Sequence, residues 1–229
     1  MTDYNGDLGL KVHRLLIERG IETPMRPEHL VAAHKPKYAA EQASALGNHF
    51  DSIVFTLGLN MEDPSIKDTP QRLAKMYLDE ICWGLNYTLF PECTCHPNGF
   101  QYDEVILVRN IEVKSLCEHH FMPIIGKAHI AYIPAHKVIG LSKFNRIVEY
   151  FSRRPQVQER LTEQISAALS VVLETDDIAV IITADHYCVK FRGIEDFCSD
   201  TVTSKMSGRF RTVDSLRSEL LSLINQPKT

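Results

Sequence analysis

The chain of 229 residues is 44% hydrophobic and 24% charged, the balance of an ordinary globular domain, which excludes wholesale disorder. Lys and Arg total 25 against 29 Asp and Glu, a net charge of −4 that argues against a general nucleic-acid coat, and no apolar run approaches the roughly 18 residues of a membrane span. Six cysteines are too sparse for a disulfide scaffold, and the N-terminus lacks a basic region followed by an apolar core, so a cytoplasmic protein with free thiols or metal ligands is expected.

In chain order, Leu8, Val12, Leu15 and Leu16 predict a helix over 7–20 ending at Gly20, followed by a loop at 22–27 with two prolines. Phe50, Ile53, Val54 and Leu57 predict a second helix over 38–57. Thr69-Pro70 reads as a cap and first helical residue, with Leu73, Met76, Tyr77 and Ile81 facing inward and Gly84 closing the helix. Residues 86–101 read as a loop carrying Cys93, Cys95 and His96, a cluster compatible with a second metal site, a disulfide pair or two plain thiols, the last being the commonest outcome in a polar loop.

The period then shortens. Val105, Leu107, Ile111 and Val113 alternate as a strand, and 124–133 as another. Ser142 is read as the cap of a helix with Phe144, Ile147, Val148 and Phe151 inward. Pro155 is read as the start of a longer helix, through Leu161, Ile165, Leu169 and Val172. Two more strands are expected at Ile178–Ala184 and Val189–Ile194, and a closing helix at 212–224. Pairs of strands separated by a helical pair predict an α+β fold with an antiparallel sheet. No glycine-rich phosphate loop is present, so any nucleotide must be held by side-chain cations.

The reactive side chains fall into two groups, Ser115-Leu116-Cys117-Glu118-His119-His120 and Asp185-His186-Tyr187-Cys188. Cys117 and His120 can share a metal from one turn, and Cys188 completes a borderline-soft set suited to zinc if the fold joins the two segments. Three protein ligands leave a tetrahedral position for water, whose pKa zinc lowers to roughly 7, and His119 and His186 are then adjacent proton-transfer groups. Spacing alone is equally compatible with buried core thiols and hydrogen-bonded turn histidines.

CEHHFMPIIGKAHIAYIP, VIGLSKFNRIVEYFSRRPQVQERLT, HYCVKFRG and TPQRLAKMY resemble, in order and spacing, the type I GTP cyclohydrolases, over roughly residues 7–224. The resemblance implies a T-fold: a four-stranded antiparallel sheet with a helical pair between its middle strands. It divides the chain into an N-terminal helical region (1–100) and a catalytic domain (101–229). It implies conversion of GTP and water to 7,8-dihydroneopterin triphosphate and formate. One zinc per subunit would be held by Cys117, His120 and Cys188, with His119 and His186 as catalytic histidines.

Glu159 matches the family's guanine-reading glutamate, with Gln158 beside it; one carboxylate can accept from both the ring N–H and the exocyclic amine of guanine. Ser142, Lys143, Arg146, Arg192, Arg72 and Lys75 are the candidates for the triphosphate, the last two being residues that a neighbouring subunit can supply. The family assembles as a homodecamer with sites between subunits. Phe191 and the acidic, apolar Glu195-Asp196-Phe197-Cys198 depart from the family pattern without touching a ligand or catalytic histidine. Two other classes, a silent purine- or pterin-binding T-fold subunit and a T-fold nitrile reductase using NADPH, are disfavoured because the five metal and histidine positions and Glu159 are retained together.

Overall fold

The computed structural model describes residues 3–26 and 36–227; Pro27, His29 and His34 lie outside them. Helix α1 (Gly6–Glu18) starts on Asn5, whose side chain accepts the Leu8 N–H at 2.9 Å, and it gives way to Gly20 at φ +67°. Helix α2 spans Pro36–Thr56. Its expected inner face is only partly realised: Val54 is buried, whereas Ile53 and Leu57 are exposed. Helix α3 (Thr69–Lys75) has Asp68 at its N-cap, not Thr69, and runs into a π-helical turn at Met76–Ile81. Gly84 is buried where a Cβ would collide with the carbonyls of Tyr150 and Arg153, so no larger residue fits there.

The remaining elements are β1 (Cys95–Pro97), β2 (Ile106–Cys117), β3 (Pro123–Tyr132), β4 (Lys137–Ile139), α4 (Ser142–Ser152), β5 (Pro155–Gln156), α5 (Gln158–Leu173), β6 (Ile178–His186), α6 (Tyr187–Lys190), β7 (Thr201–Met206), α7 (Arg209–Thr212) and α8 (Asp214–Asn225). The main sheet has the order β5-β2-β3-β6-β7. β2, β3, β6 and β7 pair antiparallel, while β5 adds a two-residue parallel step beside Leu116 and Cys117. β1 and β4 form a separate small ladder.

Three further expectations need correction. Ser142 is the first helical residue of α4; Leu141 holds the cap position and no side-chain cap bond forms. Pro155 opens no helix: it pairs with Leu116 as a strand, and α5 begins only at Gln158. The alternation Val189, Phe191 suggested a strand, but this segment is the helical turn α6 followed by Gly193 at φ +72°, and its apolar side chains are exposed. The fourth antiparallel strand is instead Thr201–Met206, whose Thr-Val-Thr run suits an extended, pleated backbone.

One face of the sheet (Val113, Ile124, Ala128, Ile130, Val180, Ile182) packs on Phe144, Ile147, Val148 and Phe151 of α4 and Leu161, Ile165, Ala168 and Leu169 of α5. Each fully buried Val, Leu, Ile or Phe among them contributes about 1.5–3 kcal/mol. Val12 and Leu16 of α1 join the same core, and Gln164 of α5 donates to the Ile21 carbonyl at 2.8 Å. The opposite face is covered in part by α7 and α8 through Phe210 and Leu220.

Candidate metal centre and surrounding site

Pairing register brings the two reactive segments together. Ser115 of β2 and His186 of β6 both pair with Ile124, so the end of β2 and the end of β6 flank the first residues of β3. Two interstrand spacings still separate those ends by roughly 10 Å. The α6 turn closes that gap by folding Cys188 back, where a continuing strand would carry it away. Lys190 pins this turn, pairing with Asp185 at 2.7 Å and donating to the Phe197 carbonyl at 2.9 Å.

On the other side, the β2–β3 turn is closed by Cys117 N–H to the Met122 carbonyl (2.8 Å) and Phe121 N–H to the Cys117 carbonyl (2.9 Å), with Phe121 at φ +52°. The result is that ligand atoms of Cys117, His120 and Cys188 lie within 4.8 Å of one another. Tetrahedral zinc, with bonds of about 2.0–2.3 Å, wants its ligand atoms roughly 3.3–3.8 Å apart, so this donor set fits the ion with small rotations. Burial, with the adjacent Cys117 thiol, pushes the Cys188 thiol up. A divalent cation beside Cys188 reverses that balance.

The two candidate catalytic histidines border this set. His119 is exposed, its Nδ1 3.9 Å from Cys117 Sγ. The Nε2 of His186 lies 2.8 Å from Gln158 Oε1. Gln158 is almost fully buried, and its amide nitrogen donates to the carbonyls of Ile182 (3.0 Å) and Thr201 (2.9 Å) and to Thr203 Oγ1 (3.1 Å). Its oxygen is therefore the atom that meets His186, which assigns the proton to Nε2 and leaves Nδ1 free. Burial lowers the pKa of His186, opposed by Glu159 and Asp185. Sequence reasoning set Gln158 beside the guanine; the structure turns its side chain to His186.

Glu159, in the first turn of α5, is exposed near His186. Arg192 is exposed, and its charge acts on Cys188. Arg72 and Lys75 are exposed on α3, Arg72 meeting Asp68 at 3.5 Å; the following π turn reaches the metal turn through an edge contact of Tyr77 with Phe121 at 6.3 Å. Ser142, Lys143 and Arg146 are not brought to the metal set within the chain. They begin α4 beside the far end of β3, where Ile139 N–H meets the Tyr132 hydroxyl and Tyr132 packs on Phe144 at 5.6 Å. β3 itself is roughly 30 Å long.

Among the described residues, Cys117, His120 and Cys188 form the one metal-capable group. Cys93 and Cys95 are free thiols, each turned to a backbone carbonyl, of Pro91 and Val172 respectively. Trp83 packs edge-on against Tyr150. Sequence reasoning passed over Glu118, which takes Arg160 in a two-pronged pair. Its place inside Cys-Glu-His-His was the one available signal.

An antiparallel α+β fold carrying a Cys-His-Cys group that could hold a metal, bordered by two histidines, is suited to metal-assisted acid–base chemistry. The family model for GTP cyclohydrolase I matches residues 46–225. Curated proteins named GTP cyclohydrolase 1 are similar over nearly the whole chain. That of Tolumonas auensis is 48% identical over 211 residues (92% of this chain, 94% of the relative), that of Yersinia pestis 48% over 214 (93% and 94%) and that of Escherichia coli 47% over 213 (93% and 94%). The chain belongs to the GTP cyclohydrolase I family.

Proposed function

We propose that this protein is a zinc-dependent enzyme that opens the imidazole ring of the guanine of GTP, releases formate and yields 7,8-dihydroneopterin triphosphate. The observation that carries the reading is the convergence of Cys117, His120 and Cys188 with His119 and a His186 oriented by Gln158. Cys117, His120 and Cys188 would hold zinc, which when bound would supply the Lewis acidity that makes water a nucleophile near neutral pH. His186, anchored through Nε2, presents Nδ1 to the substrate and delivers a proton to the ring nitrogen beside the imidazole carbon. His119 serves the later proton transfers of ring opening and reclosure. Glu159 accepts the ring N–H and exocyclic amine of guanine, which selects it over adenine.

The triphosphate brings roughly four negative charges, which a chain of net charge −4 must meet with gathered cations. Arg192 is close to the metal set, and Arg72 and Lys75 lie on the helix leading to it. Ser142, Lys143 and Arg146 sit at the far end of β3, farther than one nucleotide spans within a single chain. They therefore serve the site of an adjacent copy. This supports a T-fold ring assembly, the homodecamer of the family, with sites between subunits and the open edges of β2 and β7 joined between neighbours.

Formate release from GTP labelled at the imidazole carbon, with and without a strong zinc chelator, tests the reading. Chelator-sensitive formate is the expected result. Absence of formate from metal-replete, assembled protein would overturn the enzymatic reading and leave a binding role for the same pocket.

A further inference from the structure

Glu118 stands inside the metal turn, between Cys117 and the two histidines, and none of the roles above employs it. Arg160 grips its carboxylate with both guanidinium nitrogens, Nη1 to Oε2 at 2.5 Å and Nη2 to Oε1 at 3.2 Å. Both side chains are about four-fifths buried, at 19% and 22% exposure. The pair joins two distant segments, unlike the i,i+4 pairs Arg72–Asp68 and Arg153–Glu149 on the surface. The Glu118 N–H also donates to the Gln156 carbonyl at 3.0 Å, so the turn is fastened to β5 by backbone and to the first turn of α5 by side chain. Its opposite flank offers only the half-exposed Phe121 against Tyr77. Among the described residues, His120 has no hydrogen bond that would aim it; besides the two thiols, its ring faces His119, edge-on at 6.4 Å.

We propose that Arg160 is a positioning residue for the metal centre: by holding Glu118 it keeps His120 within reach of the two thiols and sets the metal turn against the helix end that carries Glu159. The inference rests on the metal-site reading above. A planar two-pronged contact fixes orientation as well as distance, which a lysine ammonium does not reproduce. Groups that orient metal ligands from behind are worth about 10- to 100-fold in metal affinity.

Zinc affinity of the full-length protein, measured by competition with a chromophoric chelator, provides the test without recourse to turnover. Arg160→Ala and Glu118→Gln should each weaken zinc binding by about tenfold or more, Arg160→Lys should recover part of the loss, and the double variant should be no weaker than either single one. Lys205→Ala, which breaks the pair of Lys205 on β7 with Glu163 on the helix of Arg160 (2.8 Å), should bind zinc like the wild type. Wild-type affinity in Arg160→Ala, or additive losses in the double variant, would sink the proposal. A wild-type protein that takes up no zinc would instead sink the metal reading itself.

Discussion

Arg154 is the largest fully buried side chain among the described residues. Its guanidinium lies over the rings of Tyr87, Tyr150 and Phe151 at 5.2, 4.9 and 4.9 Å, donates to the Gly84 carbonyl and the Tyr87 hydroxyl, and faces Glu22 at 3.6 Å. Glu22 in turn accepts from Tyr87 (2.6 Å) and Thr23 N–H (2.7 Å) and pairs with His13 (2.7 Å). This network holds the loop that follows α1, whose Met25 and Arg26 line a cavity of about 460 Å³ with Glu118 and His119. Burial pushes the Glu22 carboxyl up, but His13, Arg154 and Tyr87 outweigh it and hold the group below 4.5. A lowered folded-state pKa means stability that is present at neutral pH and lost as pH falls through and below 4.5. Thermal melts should therefore show the wild type losing stability on acidification more steeply than Glu22→Gln. Arg154→Met leaves Glu22 buried without its cation and should cost about 3–5 kcal/mol at pH 7 in denaturant unfolding.

The pairing of β3 with β6 decides where His186 ends. Gly126 makes it possible: a Cβ there would meet the Thr183 carbonyl and Ala184 on the neighbouring strand. Gly126→Ala should cost about 1–3 kcal/mol, read as a lowered denaturation midpoint, and should reduce formate release by displacing His186 relative to Cys117. At this scale β3 and α4 were legible because their apolar period is unbroken, whereas the bulge after Val108 breaks that of β2 and puts Val105 and Leu107 on the face opposite Ile111 and Val113. The errors fell on short segments. Val189–Phe191 alternates, but over too few residues to outweigh Gly193 and the demand that Cys188 turn back toward Cys117. Pro155 reads as a helix start by local preference, yet its φ suits an edge strand equally, and pairing with Leu116 decides the matter.

For the whole molecule, the separation of the Ser142–Lys143–Arg146 group from the metal set makes a mixing experiment decisive. Lys143→Ala and Cys188→Ser proteins should each be nearly inactive alone. Dissociated, mixed and reassembled, they should regain activity under the proposed sharing of sites, in which some sites would draw intact metal ligands from one copy and intact cations from the other. Failure to complement in verified mixed assemblies would place both groups in one subunit's site. α8 adds a further tie: Arg109, at the bulge of β2, donates to the carbonyls of Leu223, Ile224 and Gln226 and so satisfies the end of the helix that covers the second sheet face.

Some properties were set by the sequence alone. Hydrophobic period marked the long strands and helices, and residue chemistry with spacing made Cys117, His120 and Cys188 a possible metal set, because both depend on neighbours along the chain. Tertiary structure alone decided that Cys188 curls back onto Cys117, that Gln158 faces His186, and that Arg160 closes on Glu118. It also decided that Ser142, Lys143 and Arg146 stand at the far end of β3 from Cys117, His120 and Cys188. Each of these is set by strand register and helix placement, which are long-range contacts that no local pattern encodes.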